Sequence, residues 1–174
     1  MEKKVILPAV KGVIISLILI VFSLITQFLD LSRNKGLASV QFIVFIIGII
    51  WSAVYFAKQM NGNVTYGNVF AHAFKVTAAI TAIMVVYTII SIKFISPEQL
   101  NASLEEARKN MESKNLSDDQ IDKAINLTKK FAVPFAMAGV LFSFMFVGLI
   151  ASLIGAAFAK KNPRDPFVQP QGII

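Results

Sequence analysis

Four long apolar stretches, at about 5–29, 37–57, 69–92 and 131–159, alternate with polar segments that hold nearly all of the charge. A helix needs about 20 apolar residues at 1.5 Å each to cross a hydrocarbon layer of about 30 Å, and each stretch meets that length. The pattern predicts an all-α integral membrane protein: one membrane domain over residues 1–174, a four-transmembrane-helix bundle with an extramembrane helical hairpin at 96–130 between helices 3 and 4.

The ends of the stretches carry local signals. Lys3 and Lys4 precede the first, and Lys11 lies near its start, where a long stem can return the amine to the interface. Thr26-Gln27-Phe28-Leu29 lacks the small residues of a cleavage site, so this span is expected to be retained. Trp51, Tyr55 and Phe56 suit a headgroup boundary at the end of the second, which Lys58 closes. Asn61-Gly62-Asn63 is a turn signal, and Thr65 is an N-cap for a helical, interfacial prelude at 66–75. The fourth stretch is 29 residues, which at 1.5 Å each is about 43 Å, so it must tilt, kink or project. Pro134 supplies a kink or a helix start, and Lys160 and Lys161 end the stretch.

Small residues recur at four-residue spacing in the last stretch: Gly148, Ala151, Ser152, Gly155 and Ala156. This is a helix-packing face, since small side chains let backbones approach where no hydrophobic force draws helices together. Packing within the bundle is favoured over a homodimer face. The polar segment 96–130 holds seven of the ten acidic residues and reads as two short helices. One starts at Ser96-Pro97 with Gln99, the other at Ser117 with Asp118, Asp119 and Gln120. Leu100, Leu104, Ala107 and Met111 form an apolar stripe on the first, and Ile121, Ala124, Ile125 and Thr128 one on the second. The two stripes can pack on each other, as a partner-binding surface, a cap over the bundle, or a plain linker.

Composition narrows the classes further. Hydrophobic residues make up 56% and charged ones 16%, with mean hydropathy +0.67, whereas soluble domains are about a quarter charged. The absence of cysteine removes disulfides, thiolate nucleophiles and cysteine metal sites. The net charge of +7 lies largely at helix ends and tails, which points to a bilayer rather than to nucleic acid. Counting Lys and Arg near the span ends, and discounting Arg108, Lys109, Lys114 and Lys123 in the middle of the long loop, places both termini in the cytoplasm.

No Asp or Glu falls in the uncharged span cores, and only Lys11, His72 and Lys75 are ionisable near membrane depth, all on one expected side. His72 and Lys75 are three apart on one helix face, so Lys11, His72 and Lys75 form a candidate site for an anion or lipid headgroup; the alternative is a set of snorkelling interfacial side chains. His72 is the only histidine, and phosphate loops and dinucleotide fingerprints are missing, so the chain offers no metal site, no cofactor and no catalytic set. The expected function is non-enzymatic, through association with lipid, with itself or with another membrane protein. The alternative is a small transporter or channel subunit.

Tyr55-Phe56-Ala57-Lys58, Asn61-Gly62-Asn63-Val64-Thr65-Tyr66-Gly67 and Ala71-His72-Ala73-Phe74-Lys75 resemble a bacterial membrane family, domain of unknown function 4199. The likeness extends through Asn115-Leu116-Ser117-Asp118-Asp119-Gln120-Ile121 to Ser152-Leu153-Ile154-Gly155 and the closing Lys160-Lys161, most of the chain. It implies a four-span protein of a bacterial inner membrane, found mainly in Bacteroidetes, and carries no catalytic residue with it.

Overall fold

The computed structural model describes residues 5–29, 31 and 35–161. Lys3, Lys4, Arg33 and Arg164, which enter the charge count, lie outside the described residues. Five α-helices follow in order: α1 (Pro8–Phe28), α2 (Lys35–Gln59), α3 (Tyr66–Ile90), α4 (Pro97–Glu112) and α5 (Asp118–Phe158). A single π-helical turn, Ser91–Ile95, joins α3 to α4, and the described residues contain no strand. Four helices are long and apolar enough to cross a membrane: Pro8–Phe28, Ser39–Gln59, Tyr66–Ile95 and Asp118–Phe158. The chain is an all-α, multi-pass membrane protein.

The helix ends follow from local chemistry. Pro8 at the first position of α1 gives up only a donor that the first turn leaves unpaired anyway. At the end of α2, Asn61 takes a left-handed φ of 51° and Gly62 one of 76°. The Gly62 amide then reaches Ala57 O at 2.8 Å and the Asn61 amide reaches Lys58 O at 3.1 Å, the paired bonds of a Schellman stop. Asn115, with φ 58°, ends α4 in the same way, its amide bonding Glu112 O while the Leu116 amide bonds Met111 O. Thr65 caps α3 as expected, its Oγ1 accepting from the Asn68 amide at 3.2 Å. The cap at Ser117 is half formed: Gln120 Oε1 accepts from the Ser117 amide at 3.3 Å. Ser96 precedes Pro97 without a side-chain capping bond.

One expectation is corrected. The second hairpin helix and the fourth span are one uninterrupted helix of 41 residues, and Pro134 lies inside it, neither its start nor its end. At 1.5 Å per residue α5 extends about 62 Å, roughly twice a hydrocarbon layer. The stretch 66–75 is helical as expected and forms the first turns of α3, with Val69 and Ala73 fully buried.

The chain divides into two compact units, Met1–Ile80 with Met145–Ile174, and Thr81–Phe144. In the first, α1 lies against α2 and α3, and α5 lies against the same two helices. The approaches are close. A Cβ placed on Gly12 of α1 would stand 2.7 Å from Ala79 Cβ of α3, and one on Gly155 of α5 would stand 2.8 Å from Ala53 Cβ of α2. Gly148 has Thr77 and Phe45 against it in the same manner. Only glycine permits these contacts. The buried face of α1 is Lys11, Gly12, Ile15, Ser16 and Leu19, while Val10, Val13, Ile14, Leu17, Ile18, Val21 and Ile25 face outward. A helix in water has its larger apolar residues inside, so this inverted face requires an apolar surround.

In the second unit, α4 runs back along the start of α5. Leu104 and Ile121 are buried, Leu100, Met111 and Ile125 are half-buried, and Arg108 pairs with Asp122 across the two helices and with Glu112 at 3.6 Å along α4.

Candidate functional site

Lys11, Lys58, His72, Lys160 and Lys161 of the first unit lie where the start of α1, the end of α2, the start of α3 and the end of α5 meet. Lys11 is 1% exposed despite its place one turn into α1, so it does not return its amine to an interface. Its Nζ lies 3.1 Å from His72 Nε2 and 3.4 Å from the Ser52 carbonyl oxygen. An ammonium only donates, so the bond to His72 needs the Nε2 lone pair and a proton on Nδ1.

Aromatic faces complete the enclosure. Lys11 Nζ is 5.0 Å from the centroid of the Tyr55 ring and 5.9 Å from that of Phe56, distances at which a ring quadrupole attracts a cation. The Phe56 ring stacks on His72 with centroids 4.0 Å apart and planes 8° from parallel. No carboxylate belongs to the described residues of this unit, so carbonyl, imidazole and ring faces stand in for a counter-ion. Beside them, the fully buried Ser52 Oγ has no hydrogen-bond partner.

A second polar layer joins α3 to α5. Thr77 Oγ1 and Ser152 Oγ are 3.4 Å apart, and Ser152 Oγ also donates to Gly148 O at 2.6 Å. Toward the helix end, Tyr66 donates its hydroxyl to Leu153 O at 3.1 Å, and Lys161 Nζ sits 5.2 Å from the centre of the Tyr66 ring while donating to Ala156 O. Gly148, Ala151, Ser152, Gly155 and Ala156 are all buried, and the helices that cover this face are the chain's own α2 and α3.

The structure therefore brings Lys11 and His72 together and leaves Lys75 apart, exposed on the outer side of α3. Sequence reasoning missed Ser52 and the Phe56 stack; α2 carries them as an uncharged serine and a boundary aromatic, with nothing in their spacing to mark a lysine 41 residues away. Also missed was a cavity of about 450 Å³ between the ends of α2 and α5, lined among others by Lys58 and Lys160. The described residues contain no cluster of three His, Cys, Asp or Glu side chains able to hold a metal ion.

A family model described as "Protein of unknown function (DUF4199)" matches residues 11–161. The chain belongs to this family. The matched range takes in both polar layers and the hairpin, so the DUF4199 unit is the whole described membrane structure from Lys11 to Lys161. No curated protein and no solved structure matches the chain.

Proposed function

We propose that this DUF4199 protein is a non-enzymatic, multi-pass protein of the bacterial inner membrane, with both ends of this sequence on the cytoplasmic side, that works by association with a lipid or protein partner. One observation carries this reading. The chemistry-bearing side chains of the spans are spent on joining helices to one another, with Lys11 bonded to His72 and closed over by Tyr55 and Phe56. A group so enclosed is poorly placed to meet a substrate. The polar surfaces left for a partner are the hairpin of α4 with the first turns of α5, outside the membrane in this reading, and the lysine-bearing end of the bundle. The Lys11–His72 pair also supports the second reading, a small transporter or channel subunit, because ionisable groups at membrane depth often mark a solute path.

The chain has no cysteine, so Ser113→Cys in the hairpin gives a unique thiol. Labelling of intact cells by an impermeant maleimide is expected and places the hairpin outside the cytoplasm; labelling only after permeabilisation inverts the orientation. A photo-crosslinker on the same thiol, in native membranes, is expected to yield one defined adduct, with another protein or with a second copy. Solute flux in reconstituted vesicles that is abolished by Lys11→Met or His72→Phe would replace association with transport.

A further inference from the structure

We propose that the cavity between the ends of α2 and α5 holds the phosphate of an anionic phospholipid headgroup, between Lys58 and Lys160. The inference rests on the association reading for its membrane setting and is independent of the hairpin's role. The volume of about 450 Å³ is within the range of ligand clefts, about 300–1,000 Å³. Its lining is two-sided in chemistry. Val54, Ala57 and Phe158 form an apolar wall, and Lys58, Lys160 and the Asn61 turn form a polar rim. That is the profile of an amphiphile lying at the end of a span, with its glycerol and upper acyl carbons on the wall and its charge at the rim.

Helix C-termini carry partial negative charge and by themselves repel an anion. Here the charge is offset. The Ala57 and Lys58 carbonyls accept from Gly62 and Asn61, and Lys161 caps the Ala156 carbonyl. The ammonium groups of Lys58 and Lys160 are left over. Both residues are exposed, and neither has an ion pair or hydrogen bond from its side chain among the described residues. Among the described residues of this unit no carboxylate takes them up, and an anionic headgroup supplies the charge that complements the rim. The headgroup site expected at Lys11, His72 and Lys75 is thereby moved to a different pair of lysines. Lys11 is enclosed, whereas Lys58 and Lys160 border a space that a headgroup can enter.

The test is native mass spectrometry of the full-length protein in detergent, presented with equal amounts of phosphatidylglycerol and phosphatidylcholine. The unmodified protein is expected to keep one phosphatidylglycerol in preference. Lys58→Gln and Lys160→Gln should each lower the preference about five-fold, and the double variant about twenty-five-fold, the scale of surface lysines at an anionic membrane. Lys75→Gln, at the same end but outside the cavity, should change nothing, and Lys58→Arg with Lys160→Arg should keep the preference. Retained preference in the double Gln variant would overturn the proposal. So would an equal loss in Lys75→Gln, which means diffuse attraction, or displacement of the lipid by inorganic phosphate at the same concentration, which means a free-anion site. None of these outcomes alters crosslinking from position 113, so the hairpin's part in the association reading stands or falls separately.

Discussion

The first span and the α4–α5 hairpin are built on different buried faces. In α1 the buried face carries Lys11, Gly12 and Ser16 beside Ile15 and Leu19, while seven valines, isoleucines and leucines look out. In the hairpin, Leu104 and Ile121 are buried, and Glu105, Glu106, Lys109, Asp118, Asp119 and Lys123 are exposed. The difference is what the proposed reading, a hairpin in water and spans in lipid, requires of one chain. Apolar side chains bordering hydrocarbon gain nothing by hiding, so helices there are held by close backbone approach and hydrogen bonds. Helices in water are held by the apolar area they remove from it. α5 carries both patterns with no break in its backbone.

The comparison is broken most strongly by giving both units the same change. Ile18 and Leu127 are similarly exposed, at 54% and 59%. Ile18→Asp is expected to cost about 3 kcal/mol, the cost of an aspartate near a span centre. Leu127→Asp, in the polar part of α5, is expected to stay within about 0.5 kcal/mol, as ordinary surface substitutions do. Membrane-insertion assays and thermal melts in detergent read both, and equal losses would mean the two surfaces face the same solvent.

Next in size, Gly148→Leu drives a side chain into Thr77 and Phe45. It should destabilise the bundle by about 2–3 kcal/mol, read as a lower melting temperature with hairpin labelling unchanged. The smallest expected effect has the opposite sign. Ser52→Ala removes a buried hydroxyl that has no partner and should raise stability by up to about 1 kcal/mol. A clear loss would show that Ser52 Oγ is bonded in the membrane, to water or to an ion beside Lys11.

Much of this was legible in the residues because local chemistry decides it. The turn at Asn61-Gly62 and the Thr65 cap each depend on a few neighbours, and the spans depend on length and hydropathy alone. The continuity of α5 was not legible, because hydropathy changes sharply from Lys129-Lys130 to Phe131 and marks that boundary more loudly than any helix end. Pro134 is tolerated within α5, although it removes one backbone donor from the ladder. The site was legible only in part. Lys11 and His72 stand out as ionisable residues at one end, but their contact spans 61 residues, and periodicity within a helix does not report which neighbouring helix a side chain meets.

The central claim, that α5 is a single helix whose first third stands in water and whose remainder borders lipid, is tested most directly by a cysteine scan of its exposed positions. Single substitutions Asp119→Cys, Lys123→Cys, Leu127→Cys, Phe142→Cys, Phe146→Cys and Ile150→Cys would be treated in native membranes with a hydrophilic and then a lipid-soluble maleimide. The account predicts rapid hydrophilic labelling at 119, 123 and 127, and labelling at 142, 146 and 150 by the lipid-soluble reagent alone. Hydrophilic labelling at all six positions would contradict it.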